Sequence, residues 1–463
     1  MKAISAAFKI LTLFLLASSV TNASTDETIK ALPDSSTWKS QQSIPDQELF
    51  QRAQAAFEYL NIPAESEDDH YLDHVASPFS FNALTARLKI FDPLLSFIQY
   101  LQFNDQEARV FQDRFSKTVP DLSYQFRPVN SNMSLKERIL RAQKNAALSQ
   151  LKGLRIALDP GHMGGDFWDS QTGKFVSDGH RKVSEGLINL QVCLLLKKNL
   201  EVLGATVLIT HQGLTAVSAL DFKSFNLDPF AQEEIRFHSN ESWFVSLLSS
   251  AASFYDIPKK IDSSAVIHDF FHEHRRNEYF IKRADLDARV QMMARFKPDI
   301  TLYIHHDTAF NGGISDLSPS KTRAFIPGSF QANEVADRAS RRFLMNHWVD
   351  EEAWDLSLQM IRETLHQIHL QMGIPLATSD GNQSVKVEDG IFSRNLLVPR
   401  KLQDSVSAYY ELFFYDRRQE FNALSETKYS VLIDGKSYPY SERLKQSVQS
   451  LQDGLVHFVQ SAK

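Results

Sequence analysis

The stretch Leu154-Arg-Ile-Ala-Leu-Asp-Pro-Gly-His162-Met-Gly-Gly165 decides how the middle of the chain folds. Its apolar run has the length of a buried strand and ends in residues that form turns. The Asp-Pro-Gly sequence stops the strand and lets the backbone bend sharply, so His162 follows the strand on a rigid turn. In open α/β sheets, ligands bind at the carboxyl ends of the strands. His162 is therefore the first candidate for a functional side chain.

Strands and helices alternate on both sides of this stretch. Gly204 is a good helix stop, and Pro298 breaks the helix before the third strand. Alternation of this kind predicts an α/β fold with a mainly parallel, twisted sheet flanked by helices. We predict strands over 154–158, 206–210 and 300–304, helices over 183–203, 285–296, 332–347, 351–371 and 444–459, a last apolar run over 407–415, and a hairpin turn at Asp434-Gly435.

Composition limits the function classes. The 463 residues exceed one ordinary domain, so we expect two, and the 43% hydrophobic content is typical of a globular protein. The net charge of −6 gives no basic surface for nucleic acid. Cys193 is the single cysteine, which excludes a disulfide within the chain.

The N-terminus has the pattern of a secretion signal. Lys2 and Lys9 are followed by the short apolar segment 10–17 and by small residues before a cleavage site near Ala23-Ser24. The apolar segment is too short to span a bilayer, although a retained anchor is the alternative. We therefore expect a signal peptide over 1–23, no stable membrane span after its cleavage, and a periplasmic or extracellular protein.

Three further regions follow the signal. Residues 24–44 are polar and are interpreted as a linker. Residues 45–150 carry apolar residues at helical spacing, for example over 47–60, 84–115 and 135–151, and predict a mostly helical domain. An α/β domain is expected over 151–463, with an insertion at about 213–284 between its second and third strands.

Three elements of the predicted sheet carry metal-binding residue types at their ends. His162 follows the first strand, Glu185 begins the first helix, and His305 ends the 300–304 strand. Parallel strands present their carboxyl ends on one side of the sheet, and the returning helix begins on that side. Two histidines and one glutamate leave a fourth position open, as in catalytic rather than structural zinc sites.

Glu411 is a candidate catalytic group. It is the one acid at the centre of the apolar run Ala408-Tyr-Tyr-Glu-Leu-Phe-Phe414. A carboxylate is costly to bury unless it has a partner or a task. At the end of another strand it would be placed to take a proton from water and pass it to a leaving amine.

These residues occur in an order that resembles the zinc-dependent N-acetylmuramoyl-L-alanine amidases of the catalytic type shared by cell-division amidases. The resemblance covers about 154–212, 285–312 and 391 to the end. The motifs that carry it are Asp159-Pro-Gly-His162, Ser184-Glu-Gly-Leu-Ile-Asn189, Gly204-Ala-Thr-Val-Leu-Ile-Thr210, Leu286-Asp-Ala-Arg289, Tyr303-Ile-His305 and Tyr410-Glu-Leu-Phe413.

The resemblance implies the phosphorylase/hydrolase-like fold of these amidases, one catalytic Zn²⁺ held by His162, Glu185 and His305, and Glu411 as the catalytic acid. The family cleaves the amide between the lactyl group of N-acetylmuramate and L-alanine in peptidoglycan, for cell-wall remodelling or daughter-cell separation. Peptidoglycan is then the expected partner, together with an activator protein or the division machinery.

The sequence departs from the family around the site. Met163 stands where a glycine is usual, and the strand ends in Tyr-Ile-His-His306-Asp307 instead of Ser-Ile-His-Ala-Asn. His306 is a rival ligand, although strand alternation points it to the opposite face. Arg289 and Asp307 are expected to shape the substrate site; for Arg289 a surface salt bridge is the alternative.

Other readings stay open at this point. Each motif alone is more often structural than catalytic. The cluster His268, His272 and His274 has metal-ligand spacing, but no second element is paired with it. The insertion or the helices over 332–371 can be a lid over the metal. A cell-wall-binding or hydrolase-regulating protein on the same fold is the alternative function, and a zinc peptidase or amidase with another substrate is a third.

Overall fold

The computed structural model describes residues 81–91, 97–104, 107–111, 120–125, 135–144, 150–223, 225, 277, 280–308, 313–316, 319–330, 338–380, 384–402 and 405–462. All of them lie in one compact unit, Phe57–Lys463. The predicted signal peptide, the linker and the cluster at His268–His274 fall outside the described residues, as does most of the insertion.

The described elements alternate strongly after residue 150. The strands are β1 Leu101–Phe103, β2 Glu107–Phe111, β3 Pro120–Gln125, β4 Arg155–Pro160, β5 Phe175–Ser177, β6 Lys182–Ser184, β7 Thr206–Ile209, β8 Ile300–Asp307, β9 Arg323–Ile326, β10 Val385–Glu388, β11 Ile391–Ser393, β12 Val406–Phe414, β13 Thr427–Ile433 and β14 Lys436–Ser441. The helices are α1 Phe81–Phe91, α2 Leu135–Lys144, α3 Gly165–Thr172, α4 Glu185–Val202, α5 Leu286–Phe296, α6 Arg338–Val349, α7 Glu351–Met372, α8 Leu397–Lys401, α9 Arg418–Ser425 and α10 Glu442–Ser461.

A seven-stranded sheet in the order β10-β11-β9-β12-β8-β4-β7 forms the centre. Strands β12, β8, β4 and β7 pair in parallel. Strand β9 is antiparallel to β12, and β11 is parallel to β9. The prediction of a mainly parallel sheet flanked by helices is therefore confirmed, with an antiparallel addition at one side.

The sheet is buried because its strands are apolar on both faces. Strand β8 is buried at every position except Asp307, as expected of a parallel strand covered on both sides. Helices α4, α7 and α10 share one hydrophobic core with Leu302 and Ile304. Helix α5 packs on the other face, where Val290 and Met293 contact Tyr303.

Helices α6 and α7 belong to this core. Trp348, Met360 and Ile361 are fully buried in it. A Cβ on Gly454 of α10 would lie 2.5 Å from the Thr364 backbone, so α7 and α10 are in close contact. The hypothesis that these helices form a lid is wrong, because their apolar faces already cover the sheet.

The helical prediction for 45–150 is confirmed at α1 and α2 but wrong between them. Strands β1, β2 and β3 form a three-stranded antiparallel sheet. Ala108 and Val110 are buried while Arg109 between them is exposed, which is the period of a strand. Asn104 Oδ1 accepts a hydrogen bond from the Glu107 amide and closes the β1–β2 turn. Leu84 and Ile139 pack into the core of the large sheet, so the described part of this region does not have a core of its own.

The C-terminal predictions are confirmed. Asp434 and Gly435 both have positive φ, 49° and 74°, and join β13 to β14 as a tight hairpin turn. Helix α10 follows, and its N-cap Ser441 accepts a hydrogen bond from the Leu444 amide. Within the described residues, no helix is long and apolar enough to cross a membrane.

Candidate active site

The turn after β4 carries His162 into the site. The Gly161 amide donates to the Ile304 carbonyl at 2.8 Å, which joins the turn to β8. A Cβ on Gly161 would lie 2.2 Å from His305 Cε1, so only glycine lets the two elements approach this closely. His162 itself adopts a left-handed backbone (φ 59°), which few non-glycine residues do. The glycine of this motif is thus required by the packing of His305 as well as by the bend.

Arg289 forms hydrogen bonds with the residues that lead into the His162 turn. It is 1% exposed, so the surface salt bridge considered above is wrong. Its Nη1 donates to the Pro160 carbonyl at 2.6 Å and to Asp159 Oδ1 at 3.3 Å. Its Nε donates to Asp285 Oδ2 at 2.8 Å. The buried guanidinium therefore fixes the backbone that leads to His162.

Glu185 is the first residue of α4. Ser184 caps this helix by accepting from the Leu187 amide, and its hydroxyl donates to the buried Asp169 at 2.6 Å. A Cβ on Gly186 would lie 2.2 Å from the Met163 carbonyl oxygen. The start of α4 therefore packs directly on the loop after His162, which brings Glu185 beside that histidine.

His162, Glu185 and His305 converge as predicted. Glu185 Oε1 lies 3.4 Å from His162 Nε2 and 3.3 Å from His305 Nδ1. All three ligand atoms lie within 4.8 Å of one another, and the group could hold a metal ion. Bonds of about 2.0–2.1 Å in a tetrahedral zinc site place ligand atoms about 3.3 Å apart, so these separations fit such an ion.

The protonation state of the two histidines also suits a cation. Burial lowers the pKa of His162 to about 3, although the charge of Glu185 opposes this shift. Burial likewise lowers the pKa of His305 to about 3. Both rings are therefore neutral near pH 7 and have a lone pair to offer. A carboxylate that is 2% exposed between two neutral rings is the charge arrangement of a metal site.

His306 lies on the opposite face of β8. Its Nδ1 donates to Asn189 Oδ1 at 2.6 Å, and its ring packs edge-on against Phe413. Asn189 Nδ2 donates in turn to the Gly161 carbonyl at 2.9 Å. His306 is thus outside the metal-binding group, as strand alternation predicts. Asn189 links it to the His162 turn, a role that only the helical spacing from Glu185 to Asn189 could have suggested.

Glu411 lies beside the candidate metal site because its strand, β12, pairs with the strand that carries His305. It lies directly opposite His305 on β8 and opposite Arg323 on β9. Its carboxylate is partly buried, and its Oε2 has no hydrogen-bond partner among the described residues. Burial raises the pKa of Glu411 well above its ordinary value, and the charges of Asp307 and Glu185 raise it further. Glu411 is the sixth residue of β12 and stands at a bulge rather than at the end of the strand.

Asp307 lies at the end of β8 beside Arg323. Burial raises the pKa of Asp307, and the Arg323 charge opposes this shift. Arg323 forms ion pairs with Asp307 and with Asp380. Sequence reasoning missed Arg323 because no motif marks β9. It also missed Lys174, whose ammonium lies 3.9 Å from Glu185 Oε2.

Comparisons with known proteins gave matches among solved structures. No family model matches the chain, and no curated protein matches it. The structure of the CwlD amidase from Clostridioides difficile in complex with the GerS lipoprotein is 12% identical, with 66% of this chain and 98% of that chain covered and a TM-score of 0.35. The N-acetylmuramyl-L-alanine amidase Ami1 from Mycobacterium smegmatis is 14% identical, with 67% and 98% covered and a TM-score of 0.35. The catalytic domain of CwlV, an N-acetylmuramoyl-L-alanine amidase from Bacillus (Paenibacillus) polymyxa var. colistinus, is 13% identical, with 67% and 99% covered and a TM-score of 0.32.

Proposed function

We propose that the chain is a secreted, zinc-dependent hydrolase that cleaves the amide bond between N-acetylmuramic acid and L-alanine in peptidoglycan. The observation that carries this proposal is the convergence of His162, Glu185 and His305, with Glu411 paired directly to His305. This combination places a candidate metal site with three protein ligands beside a carboxylate that has a raised pKa. The motif resemblance supports the substrate.

Each residue has a role in this proposal. His162 Nε2, Glu185 Oε1 and His305 Nδ1 would hold one zinc ion. When bound, zinc supplies a Lewis acid that lowers the pKa of water and polarises a carbonyl oxygen.

Glu411 accepts the proton of the attacking water on its carboxylate and returns it to the L-alanine nitrogen as the amide breaks. Burial raises the pKa of Glu411, which makes its ionised carboxylate a stronger base toward that water than an ordinary glutamate. Asn189 and Arg289 hold the turn that presents His162.

The location and partners are also part of the proposal. The pattern of residues 1–23 supports export to the periplasm or the cell exterior. Peptidoglycan is the substrate and an activator protein or the division machinery is the expected partner. The net charge of −6 argues against nucleic acid as a binding partner.

A non-hydrolytic wall-binding or regulatory protein is the alternative. The substitutions at Met163 and His306 favour it, because they surround the site. The candidate catalytic set argues against this alternative. It consists of the metal-binding group and Glu411, and a binding protein has no need of a carboxylate with a raised pKa beside a metal site. A zinc peptidase is the third reading, and the identity of the products separates it from an amidase.

The test is digestion of purified sacculi by the secreted form of the protein, followed by mass analysis of the soluble products. Release of free stem peptides that stops with a chelator and returns with Zn²⁺ supports the amidase. Binding to sacculi without release supports the regulatory alternative. Cleavage within the stem peptide supports the peptidase.

A further inference from the structure

Lys174 is fixed to the backbone of the candidate site. It follows Gly173, which ends α3 in a left-handed conformation, and it precedes β5. Its carbonyl accepts a hydrogen bond from the Glu185 amide at 2.9 Å. Its own amide donates to Thr172 Oγ1 at 3.3 Å. The main chain of Lys174 is therefore held against the first residue of α4.

The ammonium of Lys174 faces the site but forms no hydrogen bond there within the described part of the chain. Its Nζ lies 3.9 Å from Glu185 Oε2, which is an ion pair beyond hydrogen-bond length. The side chain is 45% exposed. An ammonium carries three N–H donors, and these are available to a ligand that enters from solvent.

The charge of Lys174 contributes to the pKa shifts of several groups in the site. Burial is the main cause of the lowered pKa of His162 and His305, and the Lys174 charge acts in the same direction on both. Burial is also the main cause of the raised pKa of Asp307 and Glu411, which the Lys174 charge opposes. The Lys174 charge therefore acts on groups of β8, β12 and the His162 turn.

The other cations beside the site are already paired. Arg289 is buried and bonded to Asp159 and Asp285. Arg323 is paired with Asp307 and Asp380. Among the described cations of this site, Lys174 is the one that combines solvent exposure with unused donors.

We propose that Lys174 binds a carboxylate of the stem peptide close to the scissile amide, and that it makes the enzyme prefer peptides in which this group is free. This inference rests on the proposed function. The acidic residue that follows L-alanine in the stem supplies such a carboxylate, which is free in some walls and amidated in others. Apart from the metal ligands, the site presents the carboxylates of Asp307 and Glu411, which repel an anionic peptide when they are ionised. Lys174 offsets this repulsion at the exposed edge of the site.

The experiment compares two soluble muropeptides that differ only in whether the α-carboxyl of the residue after L-alanine is free or amidated. Their dissociation constants are measured by calorimetry on the zinc-loaded Glu411→Gln protein, which is expected to bind without hydrolysis. The free carboxylate should bind about tenfold more tightly, the size expected of one charge-assisted contact at a half-exposed site. Adding Lys174→Met should remove this difference, and adding Lys174→Arg should keep most of it.

Lys386→Met is the matched control, because the Lys386 side chain is 47% exposed and lies on β10. It should leave the ratio of the two constants unchanged. Equal binding of both muropeptides by the Glu411→Gln protein would overturn the inference, as would a preference that survives Lys174→Met. Equal weakening of both muropeptides together with loss of zinc would also overturn it, since Lys174 would then only position Glu185. Failure of the wild-type protein to hydrolyse either muropeptide would instead contradict the proposed function.

Discussion

Glu411 and His305 lie directly opposite each other on the neighbouring parallel strands β12 and β8. Tyr409, two residues before Glu411 on β12, stacks its ring on the His305 ring with centroids 4.2 Å apart. Side chains of paired strand residues are close neighbours on one face of a sheet. The candidate metal ligand and the candidate proton carrier are therefore held by two paired strands of the central sheet, and their spacing does not depend on a loop.

Glu411→Gln should retain zinc and lose hydrolysis. The amide keeps the shape of the carboxylate but cannot accept and return a proton, so kcat should fall by about a hundredfold or more. Tm should not fall, because the change replaces a partly buried carboxylate, whose Oε2 has no hydrogen-bond partner among the described residues, with a neutral group. Metal analysis and thermal unfolding of the same preparation check both points. Full activity in this variant would remove Glu411 from the mechanism.

The variants His306→Phe and His305→Phe should show which of the two adjacent histidines binds zinc. His306 packs beside Phe413 and bonds to Asn189 on the face away from Glu185, so its replacement should leave about one zinc per chain while lowering stability. Replacement of His305 removes one of three ligands and should reduce zinc affinity strongly. Competition with a fluorescent chelator measures both affinities. An equal loss of affinity in the two variants would make His306 a ligand.

Gly161→Ala should disrupt the metal site without a change in charge. The added methyl would lie 2.2–2.4 Å from three atoms of the His305 ring, so that ring must move. We expect weaker zinc binding and lower activity in a protein that still folds. Gly313→Ala is the control, since a Cβ at Gly313 meets nothing within 4 Å. Zinc affinity equal to that of the wild type in Gly161→Ala would show that His305 does not need this close approach.

Arg289→Met should destabilise the fold as well as the site. It leaves the buried carboxylates of Asp159 and Asp285 without their cation, a change that costs about 3–5 kcal/mol in buried ion pairs. The comparison is Arg362→Met, where the side chain is 55% exposed and pairs with Glu388, and where a loss of about 0–1 kcal/mol is expected. Urea unfolding of the chelated proteins gives both values. Equal losses would mean that Arg289 is not the buried clamp described above.

Much of the fold could be predicted from the sequence, because the central strands are nearly continuous apolar runs. Strands β4, β7 and β8 and helix α4 begin and end within a few residues of their predicted bounds. These elements are long or sharply delimited by glycine, proline and capping residues. The convergence of His162, Glu185 and His305 follows from the same pattern, because carboxyl ends of parallel strands meet on one side of the sheet.

The rest depends on contacts between distant parts of the chain. Strands β9 and β11 have four and three residues, and only pairing with β12 and with each other identifies them. Arg323 reaches Glu411 through that pairing. Arg289 has the sequence pattern of a surface residue on an amphipathic helix, and its burial depends on two acids from other positions. The helical prediction over β1–β3 failed because short apolar runs fit the spacing of a helix and that of a strand equally well.

The most direct test of the central claim is digestion of purified sacculi in ¹⁸O-labelled water by the zinc-loaded protein, with mass analysis of both product halves. The account predicts one ¹⁸O atom in the lactyl carboxyl group of muramic acid and a free L-alanine amino group on an unlabelled stem peptide. It also predicts neither product from the Glu411→Gln protein. A muramoyl-L-alanine bond that stays intact, with label elsewhere or no release by a fully zinc-loaded wild-type protein, would contradict the claim.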